Sequence, residues 1–162
     1  MELFLIIFIV AVALAPLTHF VPTKRQRQVS GLREFAAVHG LFVEFRDLPG
    51  SERAPMGGTR RPEQIIYYGK RLPPSRGEPR ARLAWRIRDE GFYGVGHHLP
   101  APACIELLPA EILALSQEEG SCGVYWLEPG EEADVQQILG ALEAWSETLV
   151  TGFTEHPKHD FS

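Results

Sequence analysis

The most continuous hydrophobic pattern in the chain lies at its N-terminus. From Leu3 to Val21 no residue carries a formal charge unless His19 is protonated. As an α-helix of about 19 residues this stretch would be roughly 28 Å long, close to the hydrocarbon thickness of a bilayer. The pattern therefore predicts a transmembrane anchor over residues 1–23.

A cleaved signal peptide is the alternative interpretation of the same stretch. Ala13-Leu14-Ala15 resembles the small-x-small pattern at which signal peptides are cut. Glu2 stands where such a peptide usually carries Lys or Arg, and Pro16 would follow the cut directly, where its ring obstructs cleavage. We therefore expect a retained anchor.

Basic residues follow the predicted anchor at once. The membrane-proximal cluster consists of Lys24, Arg25, Arg27 and Arg33. Because positive charges stay on the cytoplasmic side of a membrane, this cluster predicts an N-terminus outside and a cytoplasmic domain, with the chain in the bacterial inner membrane. The lipid bilayer is the partner that this interpretation implies.

Beyond the anchor, the hydrophobic spacing changes to that of a small domain. Residues 24–40 are predicted to form a basic, juxtamembrane amphipathic helix. Within this segment Ser30 can cap a short helix that ends at Gly40. Alternating or apolar runs then predict four strands. The predicted strands are Leu41–Arg46, Gln64–Tyr68, Arg80–Arg88 and Gly123–Leu127.

Two further helices are predicted between and after these strands. Pro109 fits the first position of a helix that passes through Ile112 and Leu115 and stops at Gly120. After Pro129-Gly130 the longest stripe of helical spacing begins. Its apolar members are Val135, Ile138, Leu139, Leu142, Trp145 and Leu149.

This order of elements predicts an α+β fold class. We expect an antiparallel sheet of about four strands with helices packed on one face, because runs of strands joined by short turns disfavour a parallel sheet. The predicted domain covers residues 41–150, and residues 151–162 are predicted to be a flexible tail.

Composition supports a globular domain and shows an uneven charge. Charged residues make up 23% and hydrophobic residues 44%, while two cysteines cannot form a disulfide framework. Residues 1–90 hold 15 Lys and Arg against nine Asp and Glu, whereas residues 91–162 hold one against twelve. The basic half would therefore lie near an anionic surface, and the acidic half would point away from it or pack against the basic half.

One strand carries the only charged pattern that suggests an interaction face. Arg80, Arg82, Arg86 and Arg88 alternate with the apolar side of the strand at Trp85. Such a face can be solvated, can pair with the acidic half, or can meet anionic lipid or a protein. Nucleic acid is the least favoured partner, because no exposed aromatic residue interleaves with the arginines for base stacking.

Candidate catalytic groups are few and lack a defining motif. Cys104 and Cys122 could form a thiol site with His97 or His98, but adjacent histidines on an extended chain point apart. A metal could be held by His97, His98 and Cys104, or by the tail residues His156, His159 and Asp160. Gly57-Gly58-Thr59 could present amides to a phosphate, but no helix and lysine follow. We therefore expect no cofactor and no resident metal.

The segment after the predicted anchor carries a family resemblance. Pro22-Thr23-Lys24-Arg25-Gln26-Arg27-Gln28 resembles the basic, glutamine-rich run that follows the single helix in the YajC family of accessory subunits of the bacterial preprotein translocase. The resemblance covers about the first 30 residues, and the G-D-E-V pattern of that family's domain is absent. The whole chain is similar to a group of single-span proteobacterial membrane proteins that sometimes receive the same label, so the resemblance implies a topology.

These observations predict a non-catalytic accessory or interaction protein of the inner membrane that docks on a larger membrane complex, such as the protein-export machinery. A membrane-tethered enzyme with a Cys/His site is one alternative. A peripheral domain that binds anionic lipid is the other.

Overall fold

The computed structural model describes residues 2–14, 23–51, 65–75, 77–88 and 91–151. It divides the chain into two units, residues 1–30 and residues 31–162. In chain order the described helices are α1 (Glu2–Leu14), α2 (Lys24–Val38) and α3 (Glu132–Thr151), with a short 3-10 helix at Ala103–Leu107. The strands are β1 (Leu41–Phe45), β2 (Ile66–Arg71), β3 (Leu83–Arg88), β4 (Gly91–Gly94), β5 (Ala114–Glu118) and β6 (Ser121–Trp126).

The N-terminal helix α1 corrects the prediction of a transmembrane anchor. It has 13 residues, which at 1.5 Å per residue gives a length of about 20 Å. Among the residues that the structure describes, no helix is long and apolar enough to cross a membrane. The prediction also covered residues 15–22, which lie outside the described residues. The inner-membrane placement that rested on this anchor is therefore not supported.

Helix α2 begins earlier than its predicted cap at Ser30. The Thr23 hydroxyl accepts a bond from the Gln26 amide at 3.2 Å, and the Gln26 side chain accepts one from the Thr23 amide at 2.8 Å. This reciprocal capping box satisfies amides that the first helical turn would otherwise leave open. The helix ends before Gly40, whose φ of 82° is a conformation that glycine adopts without strain. Leu32 and Ala36 of α2 are buried in the core.

The prediction of about four strands was wrong, because the described residues form a six-stranded antiparallel sheet. Its order is β1-β2-β6-β5-β3-β4. Strands β1 and β2 form one pair and β3 and β4 another, and the hairpin β5–β6 lies between the two pairs. Strand β4 lies in a glycine- and proline-rich stretch for which no strand was predicted.

The predicted helix from Pro109 to Gly120 was also wrong. Its second half is strand β5, in which Ala114, Leu115, Ser116 and Gln117 are all buried. A strand that is buried on both faces loses the alternation that would distinguish it from a helix. Glu118 pairs with Ser121, so Glu119-Gly120 is a two-residue hairpin loop, and Gly120 does not terminate a helix.

The main core lies between the sheet and helices α2 and α3. On α3, the stripe expected from the sequence is buried at Val135, Ile138, Leu142 and Trp145. These side chains pack with core-facing residues of the sheet, including Trp126. Helices therefore cover one face of the sheet, which we call the helix face.

The opposite face of the sheet, the open face, holds a second and smaller cluster. Tyr67, Ala114 and Tyr125 are buried there, with Leu48 packed against them. Gly69 and Gly123 face each other across β2 and β6. A Cβ at Gly123 would come within 2.4 Å of the Tyr67 ring, so the glycine lets this ring lie against the sheet.

Candidate binding groove

The structure separates the four arginines of the predicted interaction face. Arg80 is only 5% exposed, and its guanidinium donates to the carbonyls of Pro73 and Glu119, both at 2.8 Å. Arg82 is exposed just before β3. By their register with β4 and β5, Arg86 and Arg88 lie on the open face. The predicted face thus loses Arg80, which is part of the interior.

The membrane-proximal basic cluster is divided in the same way. Lys24, Arg25 and Arg27 are exposed on the first turns of α2. Arg33 forms a bidentate ion pair with Glu128, with nitrogen–oxygen distances of 2.8 and 2.6 Å. The Tyr68 hydroxyl donates to the same carboxylate at 2.9 Å. The hydrogen bonding of Arg33 to Glu128 raises the pKa of Arg33, and together with the bond from Tyr68 it satisfies the carboxylate of a residue that is 2% exposed.

The two cysteines are poor nucleophiles in this structure. Both thiols are buried, and burial raises the pKa of Cys104 and of Cys122 to about 12. Since the thiolate is the reactive form, neither thiol is activated at neutral pH. No group of three or more His, Cys, Asp or Glu side chains in the described part of the chain could hold a metal ion. The tail trio of His156, His159 and Asp160, and the segment Gly57-Gly58-Thr59, lie outside the described residues.

On the helix face the structure forms a groove that sequence analysis did not find. It lies between the second half of α3, the 3-10 helix and the β3–β5 part of the sheet, and its volume is about 490 Å³. Pockets that bind small ligands or side chains commonly have volumes of about 300–1,000 Å³. Its principal lining residues are Trp85, Leu99, Leu107, Gln117, Ala144 and Trp145.

Three polar side-chain groups of the groove are already hydrogen-bonded within the protein. Trp85 Nε1 donates to the Leu99 carbonyl at 3.1 Å, and Gln117 Nε2 donates to the Ala81 carbonyl at 3.2 Å. The Thr148 hydroxyl donates to the Ala144 carbonyl at 3.0 Å. The groove therefore offers mainly apolar contact, and Leu99 and Leu107 keep 52% and 55% of their surface exposed there.

His97 fixes the wall of the groove that carries Leu99. The Leu99 amide donates to His97 Nδ1 at 3.2 Å. An amide N–H can only donate, so Nδ1 is the acceptor and the ring proton is on Nε2. From there it is donated to the Ala84 carbonyl at 3.0 Å. The ring also packs edge-on against Trp85, with 5.2 Å between centroids, so this histidine has a positioning role.

The groove could not be found from a motif, because its walls come from four separate segments of the chain. One signal was present in the sequence: Leu99 and Leu107 are large apolar residues between residues 91 and 109, where the pattern predicted neither a strand nor a helix. Apolar side chains in a connector indicate either a buried segment or an exposed binding surface.

Comparison of the chain with protein-family models, with curated proteins and with solved structures found no match.

Proposed function

We propose that this protein is a non-catalytic interaction module that holds an apolar segment of a protein partner in the groove between α3 and the 3-10 helix. The observation that carries the proposal is the groove itself, with a volume of about 490 Å³ and two exposed leucines, Leu99 and Leu107, in its lining. Protein partners commonly anchor one or a few apolar side chains in such a depression.

The state of the reactive groups supports binding over catalysis. Cys104 lines the groove, but burial raises its pKa to about 12. His97 uses both ring nitrogens in bonds to the backbone. A Cys/His enzyme would need a thiolate and an available base, so the enzyme alternative has less support from this geometry.

Site-specific photo-crosslinking in the cells that make the protein tests this function. A photoreactive residue replaces Leu107 in the groove, and in a matched variant it replaces Ile87, which is 44% exposed and outside the groove. We expect a discrete crosslinked protein from position 107 that is absent from position 87. The proposal fails if both positions give the same products or if position 107 gives none.

A second measurement addresses the enzyme alternative. Native protein treated with an alkylating reagent at neutral pH should react slowly at both cysteines, because the thiols are protonated and buried. Rapid labelling of Cys104 without unfolding would reverse the ranking of the two functions.

A further inference from the structure

Strand β1 lies at one edge of the sheet and has a free side. Among the strands that the structure describes, it pairs only with β2. The Arg46 amide donates to the Ile65 carbonyl, and in an antiparallel pair such bonded residues alternate with residues whose backbone groups point the other way. The N–H and C=O groups of Leu41, Val43 and Phe45 therefore point away from β2, towards the outside of the sheet.

This edge lacks most of the features by which sheet edges avoid pairing with another chain. Strand β1 contains no proline and no lysine, and it pairs with β2 residue for residue, without a bulge. Its one charged residue, Glu44, is paired with Arg46 at 2.9 Å. The edge at the other end of the sheet, β4, is shorter and both begins and ends with glycine, which weakens a strand. The edge of β1 is therefore better suited to accept a further strand.

An apolar side chain lies beside this free edge. Phe45 is on the helix face, as its register with Ile66 and the core residue Trp126 shows. It keeps 62% of its surface exposed, more than any other large apolar residue in the described strands. A strand added to β1 would cover part of this ring.

The sequence of β1 is complementary to a second copy of itself. In a two-fold antiparallel arrangement centred on Val43, each Val43 faces the other, and each Phe45 faces Leu41 of the other copy. Three facing pairs then exchange about six backbone hydrogen bonds. Pairs of an aromatic and an aliphatic side chain across strands also stabilise a sheet.

The alternative registers that keep the same faces together are poorer. A register centred on Glu44 loses one facing pair and sets the two carboxylates directly opposite each other, which is destabilising. A register centred on Phe42 also loses one pair and moves Phe45 beyond the end of the facing strand. In the register centred on Val43, Glu44 faces Phe42, so the side chains select this register.

We propose that two copies of this protein associate through β1, which joins their two sheets into one across a two-fold axis at Val43. The proposal does not rest on the proposed function, because β1 contributes no lining residue to the groove. The groove lies at the β3–β5 part of the sheet, and β1 is at the far edge from β3. Each copy therefore keeps its groove for a different partner.

Disulfide trapping in the full chain tests the proposed register. Oxidised glutathione should convert Val43→Cys into a covalent dimer, because the facing Cα atoms would be about 5.5 Å apart, within the range that a disulfide spans. Phe45→Cys is the matched control. Its two copies would lie four residues apart along the pairing, about 13 Å, and should not crosslink. Random collision predicts the opposite order, since Phe45 is the more exposed residue. Equal trapping of both variants, or none of Val43→Cys, would overturn the proposal.

A second pair of variants tests the association without a crosslink. Sedimentation of the unmodified chain over about 1–100 µM should show a mass that rises from monomer to dimer. Phe45→Lys should weaken this association about tenfold or more, because it replaces an apolar contact by a charge. Ile87→Lys makes the same change at a residue that is 44% exposed on β3, away from the edge, and should leave the association unchanged. A monomer at every concentration, or equal behaviour of the two variants, would refute an interface at β1.

Discussion

The two faces of the sheet bury their aromatic residues by different means. On the helix face, Trp85 and Trp145 pack edge-on with 6.0 Å between ring centroids, under the cover of α3. On the open face, arginines cover the rings. The Arg46 guanidinium lies 4.0 Å from the Tyr67 ring centroid, and Arg88 lies 4.6 Å from that of Tyr93.

This difference explains much of the arginine content that first suggested an interaction face. A guanidinium over a ring shields apolar surface while its charged group remains hydrated, which a helix on that face would prevent. Arg46 also joins Glu44 at 2.9 Å and Glu118 at 3.3 Å. Arginines of the open face therefore act partly as a substitute for a helical layer, whereas the groove with the exposed Leu99 and Leu107 lies on the helix face.

The largest expected effect that separates the two faces is the response to alkaline pH. Burial raises the pKa of Cys104 and Cys122 from 9.0 to about 12, and both belong to the core under the helices. Between these values the unfolded chain loses the thiol protons while the folded chain keeps them, so folding stability is present below pH 9 and is lost as pH rises towards 12. At pH 10 the loss should be about 1–1.5 kcal/mol per thiol.

Urea unfolding at pH 7 and pH 10 measures this effect. The double variant Cys104→Ala with Cys122→Ala should lose little of its remaining stability between the two pH values. Tyr67→Phe serves as the counterpart on the open face. Burial raises the pKa of Tyr67 from 10.0 to about 12, so the stability that this protonated group contributes is lost mainly between these two pH values. An unchanged pH response in the double cysteine variant would show that the thiols are not buried as described.

A smaller effect is expected when Arg46, one of the arginines of the open face, is removed. Arg46→Ala should lower the free energy of unfolding by about 1–2 kcal/mol, because it loses the ring contact and two ion pairs with partly exposed groups. Arg46→Lys keeps the charge without the planar guanidinium and should lose less. Chemical unfolding at pH 7 compares the three proteins, and equal stability of all three would mean that the Arg46 contacts do not cover Tyr67 in solution.

The smallest effect is expected from the exposed arginines. Arg82→Glu combined with Arg88→Glu should change the free energy of unfolding by no more than about 0.5–1 kcal/mol, because both side chains are exposed. Arg80→Ala provides the contrast, since it breaks buried bonds to two carbonyls and should cost more. Thermal melts compare the loss of stability in the two variants. A larger loss from the exposed pair would indicate that these arginines pair with acidic residues of the C-terminal half.

The sequence predicted the elements whose periodicity reflects a single buried face. Strand β1 lies within the predicted range, although its burial decreases along the strand and does not alternate, and the buried stripe of α3 falls at the predicted positions Val135, Ile138 and Leu142. Strand β5 was mistaken for a helix because both of its faces are buried, and β4 was missed because glycine begins and ends it. Alternation alone also placed Arg80 outside, although the regular strand begins only at Leu83.

The candidate site could not be predicted to the same extent. The groove depends on how α3, the 3-10 helix and the sheet approach one another, and such tertiary distances leave no periodic trace in the chain. The uneven charge was visible in the sequence, but it did not indicate where an apolar groove would form.

The central position of the β5–β6 hairpin has a consequence for the order in which the protein can fold during synthesis. The pairs β1–β2 and β3–β4 leave the ribosome first, but they share no hydrogen-bonded edge, because each pairs only with a strand of the later hairpin. Until residues 114–126 emerge, each pair keeps an open edge that could recruit another chain. A nascent or truncated chain that ends before Ala114 is therefore expected to be prone to aggregation and to depend on chaperones, and translation of the last hairpin joins two separate ribbons into one sheet.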